Sequence, residues 1–359
     1  MTMTDAGGRP GAASGRSGPS TVGRSGVISA GSWLVDHNLA IDYWPEEETL
    51  AEVRDHRPEG GGPGFNMSVD LARLGLPAPI YAMGVVGDDA DGRFLARTVE
   101  AEGIDTRRLI FRQGAETSST YAMSSIATGR RTFFHSQAVH ALMTPDDFVF
   151  DDLPARFFHV GLPGLHRTLD APWHGEPSGW VAVLKAAGRA GLKRNLELAA
   201  VEETRLKAIV GPCLAHLDFL VVNDREIGAL AGIRTVVEGN TDVAACWRAL
   251  DAVLTLGSLE LAVAHFPKGA LVVTRDGRRA AKGSVAIPPQ AIVGTNGAGD
   301  AFAAGILYSL HLGHDLDHAL ALAHASAAAS VRSITTVGSV EPAAVCLALA
   351  DSWGWRENP

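Results

Sequence analysis

From Gly26 onward the chain alternates short apolar runs with amphipathic stretches of helical period, and glycines mark most of the joints. GVISAGSWLVD reads as one strand with a polar end at Asp36. The Gly-rich joint EGGGPGFN follows, then a helix, MSVDLARLG, stopped by Gly75. PIYAMGVVG is a buried strand, and DADGRFLARTVEAEG is a helix ending at Gly103. STYAMSSIAT and RRTFFHS alternate apolar and polar residues about Gly129-Arg130, which predicts a hairpin from Ser119 to Ser136. After Asp147 the rhythm becomes strand, helix, strand. RFFHVGL, LKRNLEL, DFLVVN and ALVVTRDG are the strands; WVAVLKAAGRAG, VEETRLKAIVGPCLAHL, DREIGALAG and DVAACWRALDAVLTLG are the helices. Two Ala-rich helices close the pattern, from Asp300 to about Leu312 and from Asp315 to about Ser333. Such alternation predicts an α/β fold: a mainly parallel sheet with helices on both faces and a small β appendage. Ligands then belong at the C-terminal ends of the strands.

Composition narrows the function more than the fold. The 359 residues are 46% hydrophobic and 20% charged, which is globular, and the net charge of -9 argues against a nucleic-acid or anionic-membrane partner. No apolar run reaches the roughly 18 residues of a membrane span. Cys213, Cys246 and Cys346 are odd in number and widely spaced, as expected of free thiols in a reducing, cytoplasmic setting. The first 25 residues are rich in Gly, Ser, Pro and Arg without a signal-peptide apolar centre, and read as a disordered tail.

Three stretches carry candidate chemistry. In VGTNGAGDAFAAG, Gly297, Ala298 and Gly299 leave backbone N–H groups uncovered at a helix start, a cradle for phosphate. Asp300 beside that cradle is no anion ligand; it suits a base that deprotonates an attacking hydroxyl, or it is an ordinary N-cap. In GGGPGFN, Asn66 offers a polyol both donor and acceptor, or the stretch is only a flexible joint. In VVNDREIGALAG, Asn223 and Glu226 organise Mg²⁺ waters and phosphates, or form a capping box.

In this order and spacing, GGxGxN, NxxE and TxGAGDxFxxG resemble the PfkB/ribokinase family of carbohydrate kinases over about residues 26–350. The resemblance implies a ribokinase-like three-layer α/β/α fold with lid segments near 36–60 and 106–136, and tails over 1–25 and 351–359. It implies ATP-dependent phosphorylation of a small sugar or sugar acid. A nucleoside kinase and a non-catalytic sugar sensor are the alternatives. It casts Asp300 as the base, Gly297-Ala298-Gly299 as the anion hole, and Asn223 and Glu226 as the pair supporting Mg²⁺ and nucleotide. Asp36, Gly62 and Asn66 become sugar contacts, and Thr274 and Gly277 nucleotide contacts. Adenine is placed near Ala325 to Ala329, and a homodimer through the lid is a reasonable expectation.

The chain departs from the family mainly on the sugar side. Gly294 stands where members commonly carry an aspartate of a monovalent-cation site, which puts potassium activation in doubt. Leu34 replaces a polyol-binding asparagine, and Trp33 beside it suggests an apolar or stacking surface, which suits a flat base. His140 stands in a substrate loop, either as a donor or merely exposed. Asn195 and Glu197 replace a D-x-N strand end, and TRDG is shorter than the usual nucleotide motif TxGxxG.

Overall fold

A computed structural model describes residues 23–359, so the expected tail lies, up to residue 22, outside the described residues. The chain opens with β1 (Gly26–Gly31), β2 (Leu34–Ile41), β3 (Val53–Gly61), α1 (Pro63–Arg73), β4 (Ile80–Gly87), α2 (Ala90–Ala101) and β5 (Asp105–Arg112). Next come β6 (Ser118–Ser125), β7 (Arg131–Ser136), β8 (Ala155–Gly161), α3 (Arg167–Asp170), α4 (Gly179–Arg189) and β9 (Lys193–Leu196). Then follow α5 (Glu203–Val210), β10 (Phe219–Asn223), α6 (Asp224–Ala231), the two-residue strands β11 (Val236–Val237) and β12 (Asn240–Thr241), and α7 (Val243–Leu256). The last elements are β13 (Leu261–Phe266), β14 (Gly269–Thr274), β15 (Arg279–Gly283), α8 (Ala298–Leu312), α9 (Leu316–Ser330) and α10 (Ala343–Trp353).

Nine strands form the central sheet in the order β15-β14-β13-β10-β9-β8-β1-β4-β5. Every pairing from β13 to β5 is parallel; β14 and β15 are antiparallel additions. Alternation within each strand feeds two cores. Leu261 and Val263 of β13 point to the layer that holds α1, α8 and α9, whereas Ala262 and Ala264 point to the layer of α4 and α7. The small residues of α8 and α9 let these helices pack closely: a β-carbon on Gly305 would sit 2.6 Å from Ala323 Cα.

The second sheet, β3-β2-β6-β7, is the small β appendage expected to form a lid. Three expectations about it and its neighbours change. The stretch read as one strand is two, because Gly31 turns at φ 97 and a β-carbon there would strike the Gly161 carbonyl. Asp36 therefore lies inside a strand of this second sheet rather than at the end of a central one. Residues 105–112 are not lid; they form the edge strand β5 of the central sheet.

Residues 354–359 are not a tail either. Ala286 N–H donates to Gly354 C=O and Arg356 N–H to Ser284 C=O, and Trp355 bridges Val285. The Lys282 ammonium sits 4.3 Å from the Trp355 ring centre, and Asn358 accepts from Gly283 N–H. This segment forms a short bridged strip beside the chain that leaves β15. Cys213, Cys246 and Cys346 are free and buried, as expected. No helix among the described residues is long and apolar enough to cross a membrane.

Candidate active site

The C-terminal ends of β8, β9, β10 and β13 meet the N-termini of α1 and α8, and the expected chemistry gathers there. Gly297 caps α8 in the left-handed region at φ 77, with the Thr336 carbonyl 2.0 Å from where a β-carbon would be. Only glycine fits that turn. The N–H groups of Gly299 and Asp300 have no acceptor among the described residues, so the cradle is open to an anion.

Asp300 lies in the first turn of α8 and is not its cap, which removes the bland reading. Asn66 Nδ2 donates to Asp300 Oδ2 at 2.6 Å. Thr336 Oγ1 donates to Asn66 Oδ1 at 2.9 Å and lies 3.2 Å from the Gly60 carbonyl, tying β3, an edge strand of the second sheet, to the same amide. Asn66, expected as a sugar contact, thus holds the Asp300 carboxyl. Burial holds the Asp300 carboxyl well above the usual carboxylate range, and the neighbouring Glu197 adds to this by charge and by a shared hydrogen bond; Asn66 opposes it.

Glu197, just past β9, lies beside Asp300, with a hydrogen-bonded network behind it. Burial pushes it up to about 7. His159 Nδ1 lies 2.9 Å from the Asn195 amide, and its Nε2 lies 3.1 Å from Glu197 Oε2. An amide nitrogen can only donate, so His159 Nδ1 accepts and Nε2–H donates to Glu197. Burial lowers His159 to about 4, so it is neutral near pH 7. A neutral donor and a second carboxyl leave Glu197 and Asp300 sharing a proton. Glu197→Gln is therefore expected to move the acid limb of the rate profile to lower pH, by about a unit, because Asp300 loses a negative neighbour. A kcat/KM profile measured on both proteins checks this.

Asn223 and Glu226 do form a capping box at the start of α6: Asn223 Oδ1 accepts from Glu226 N–H and Glu226 Oε2 from Asn223 N–H, both at 2.9 Å. The box and a ligand role coexist. Burial pushes Glu226 up to about 7, the state of a carboxylate without a cation beside it. Among the described residues no group of three His, Cys, Asp or Glu forms a metal cage. Mg²⁺ is held largely by water and phosphate and takes only one or two carboxylates, so the Glu226 carboxyl with Asn223 beside it has the donor chemistry such an ion needs.

Other expected residues fall elsewhere. Thr274 ends the antiparallel strand β14 opposite Leu261, at the wrong end of the sheet, where its hydroxyl bonds Asp276 and the Arg278 carbonyl. Gly277, at φ 90, makes the turn of that hairpin. Neither is a nucleotide contact. The β13–β14 turn, Ala264 to Gly269, stands at the right end instead, with His265 and Phe266 on the wall of a cavity of about 560 Å³. Ala327, Ala328 and Val331 line its other side, while Ala325 and Ala329 face the core. Arg356, from the strip beside the chain that leaves β15, also reaches this cavity. Its signal was absent from the sequence, since only the fold brings residue 356 beside Ser284.

On the sugar side, Gly62 caps α1 at φ 86 against the Ser32 carbonyl. The Asp36 carboxylate lies beside Gly61, in a row with Thr120, and burial raises it to about 6. His140 is not exposed: it is 2% exposed, with Nε2 3.1 Å from the Trp33 backbone. Trp33 is fully buried, donates Nε1–H to the Met83 carbonyl and packs edge-on against Phe65, so it presents no stacking surface. Gly294 has the Ser333 carbonyl 2.8 Å from its would-be β-carbon, so the backbone occupies the space of an aspartate.

The profile of the pfkB family of carbohydrate kinases matches residues 27–343. The chain belongs to that family. The kinase is 28% identical over 302 residues to the ATP-dependent ribose-1-phosphate kinase of Halopiger xanaduensis, covering 84% of this chain and 90% of that one. It is 26% identical over 308 residues to the 5-dehydro-2-deoxygluconokinase of Shouchella clausii, covering 84% and 88%. Its fold matches Arabidopsis thaliana ribokinase complexed with ribose and ATP at a TM-score of 0.75 and 21% identity, covering 92% and 99% of the two chains. The Methanocaldococcus jannaschii nucleoside kinase follows at 0.69 and 16% identity, again covering 92% and 99%. The kinase therefore has the ribokinase-like three-layer fold, and its enzyme class is phosphotransferase.

Proposed function

We propose that this kinase transfers the γ-phosphoryl group of ATP to a hydroxyl of a small sugar or sugar acid, with Asp300 as general base. The carrying observation is the Asn66–Asp300 bond of 2.6 Å at the open N-terminus of α8. It aims one carboxylate at the point where free amides receive an anion. Asp300 takes the hydroxyl proton as the oxygen attacks, and the amides after Gly297 stabilise charge on the transferred group. Asp36 and the loop ending at Gly62 face the sugar, and the lid excludes water. Glu226 and Asn223 would hold Mg²⁺, which supplies charge screening on the phosphates.

The nucleoside reading rested on Trp33 and Leu34, and Trp33 is core. The sensor reading has no use for a pinned base. A panel of pentoses, hexoses, sugar acids and nucleosides with Mg-ATP, read by coupled ADP release, tests the proposal. Turnover on nucleosides alone, or on nothing while sugars still bind, would overturn it. The expected unit of residues 26–350, extended by the segment through Asn358 that bonds to it, is proposed as one catalytic unit, working in the cytoplasm and pairing with a second copy through the lid.

Potassium in place of a bulky organic cation is expected to change the rate less than about twofold, since Gly294 removes a ligand and backbone fills its place. Steady-state rates in the two salts check this; a large activation would show a cation site built from other residues.

A further inference from the structure

Of the side chains around the cavity, His265 has a geometry that the proposed chemistry leaves unused. It is the next-to-last residue of β13, and strand alternation puts it with Leu261 and Val263 on the α8 side of the sheet. Those two are core. His265 lies one step beyond them, where the layer opens at the start of α8. A β-carbon on Gly299 would be 3.7 Å from His265 Cε1 and 3.9 Å from Nε2, so the ring edge borders the anion cradle itself. Phe302, one turn along α8, supports the ring at 4.8 Å between centroids. His265 lines the cavity, and neither ring nitrogen has a hydrogen-bond partner among the described residues.

Burial lowers this imidazole to about 4, so it is neutral near pH 7 and carries one N–H. A polar ring placed against an apolar support with its nitrogens unpaired calls for a partner. The other groups nearby make poor ones. His324 lies across Phe302, whose ring stands 5.0 Å from it, and Asn223, the register neighbour on β10, gives its side-chain oxygen to the cap and makes no hydrogen bond to His265.

We propose that His265 is a positioning residue that donates a ring N–H to the nucleotide's phosphate chain, adding a side-chain donor to the amides after Gly297. This rests on reading the cavity and the cradle as the nucleotide site. An N–H directed at a phosphate oxygen is charge-assisted and strengthens in a site shielded from water. The base and ribose, at the Ala327–Val331 end of the cavity, gain nothing from it.

Calorimetry with Mg-ADP and with adenosine separates this from packing. The wild type is compared with His265→Phe, which keeps a ring but no donor, with His265→Leu, which needs less room, and with His265→Gln, which restores an N–H. The expected result is an ADP affinity lowered about tenfold or more in the Phe and Leu variants, adenosine affinity unchanged, and the Gln variant within about threefold of wild type. Equal ADP affinity in wild type and the apolar variants overturns the assignment. So does an equal loss for ADP and adenosine, which marks a packing role. Failure of the wild type to bind Mg-ADP would instead overturn the nucleotide site, and the inference with it.

Discussion

Asp300→Asn is expected to lower kcat by about 10³-fold while leaving Mg-ADP binding within about threefold of wild type. The substitution keeps the size of the side chain and its place in the first turn of α8. It removes the carboxylate proposed to accept the hydroxyl proton. Asn66 Nδ2 can still donate to the new amide oxygen, so the geometry around 2.6 Å survives, and a loss of rate reports chemistry rather than collapse. The wild-type rate should itself fall as pH falls through the raised carboxyl range, because the base works only when ionised. The Asn variant has no such limb. Rates of coupled ADP release for both proteins across pH provide the check, and an Asn variant as active as wild type would refute the role.

Gly297→Ala is the second large effect, and it works through shape. The residue sits at φ 77, where an alanine costs about 1 kcal/mol, and its methyl would lie 2.0 Å from the Thr336 carbonyl. Something must move. Thr336 bonds Asn66, so a displaced 336 segment disturbs the base as well as the cradle. We expect kcat to fall by about 10²-fold or more and the chain to lose roughly 1–3 kcal/mol of stability. Denaturant melts and single-turnover rates measure the two parts separately. An unchanged kcat with lowered stability would show that the amides after Gly297 do not act on the transferred group.

Much of this was legible in the sequence because the informative residues are local. The cradle and the base are contiguous from Gly297 to Asp300, Asn223 and Glu226 are three residues apart, and the strand–helix rhythm after Asp147 repeats within short windows. The failures have equally local causes. ALVVTRDG has the composition of a buried strand in either direction, and nothing in it reveals that β14 runs antiparallel and carries Thr274 away from the site. The true turn, from Ala264 to Gly269, hid because it holds His265 and Phe266 where the expected motif has small residues. Trp33 and His140 read as surface chemistry because they are polar-tipped rings beside motif residues. They satisfy each other's neighbourhood inside the core instead. The pinning of Asp300 by Asn66 joins residues 234 apart, which no local pattern encodes.

The strip from Gly354 to Arg356 has a further effect. A nine-stranded sheet leaves two rows of unpaired backbone groups, one at each margin, and such rows invite other chains to add on. Here the chain leaving β15, from Gly283 to Ala286, is bonded by the protein's own segment from Gly354 to Asn358. The margin at β5 is guarded by chemistry, since DTRRLIFR sets Asp105, Arg107, Arg108 and Arg112 along it. Removing the strip would therefore free the backbone groups of Ser284 and Ala286 beside the cavity of about 560 Å³, and self-association during refolding is the failure to watch for in truncated forms of this kinase.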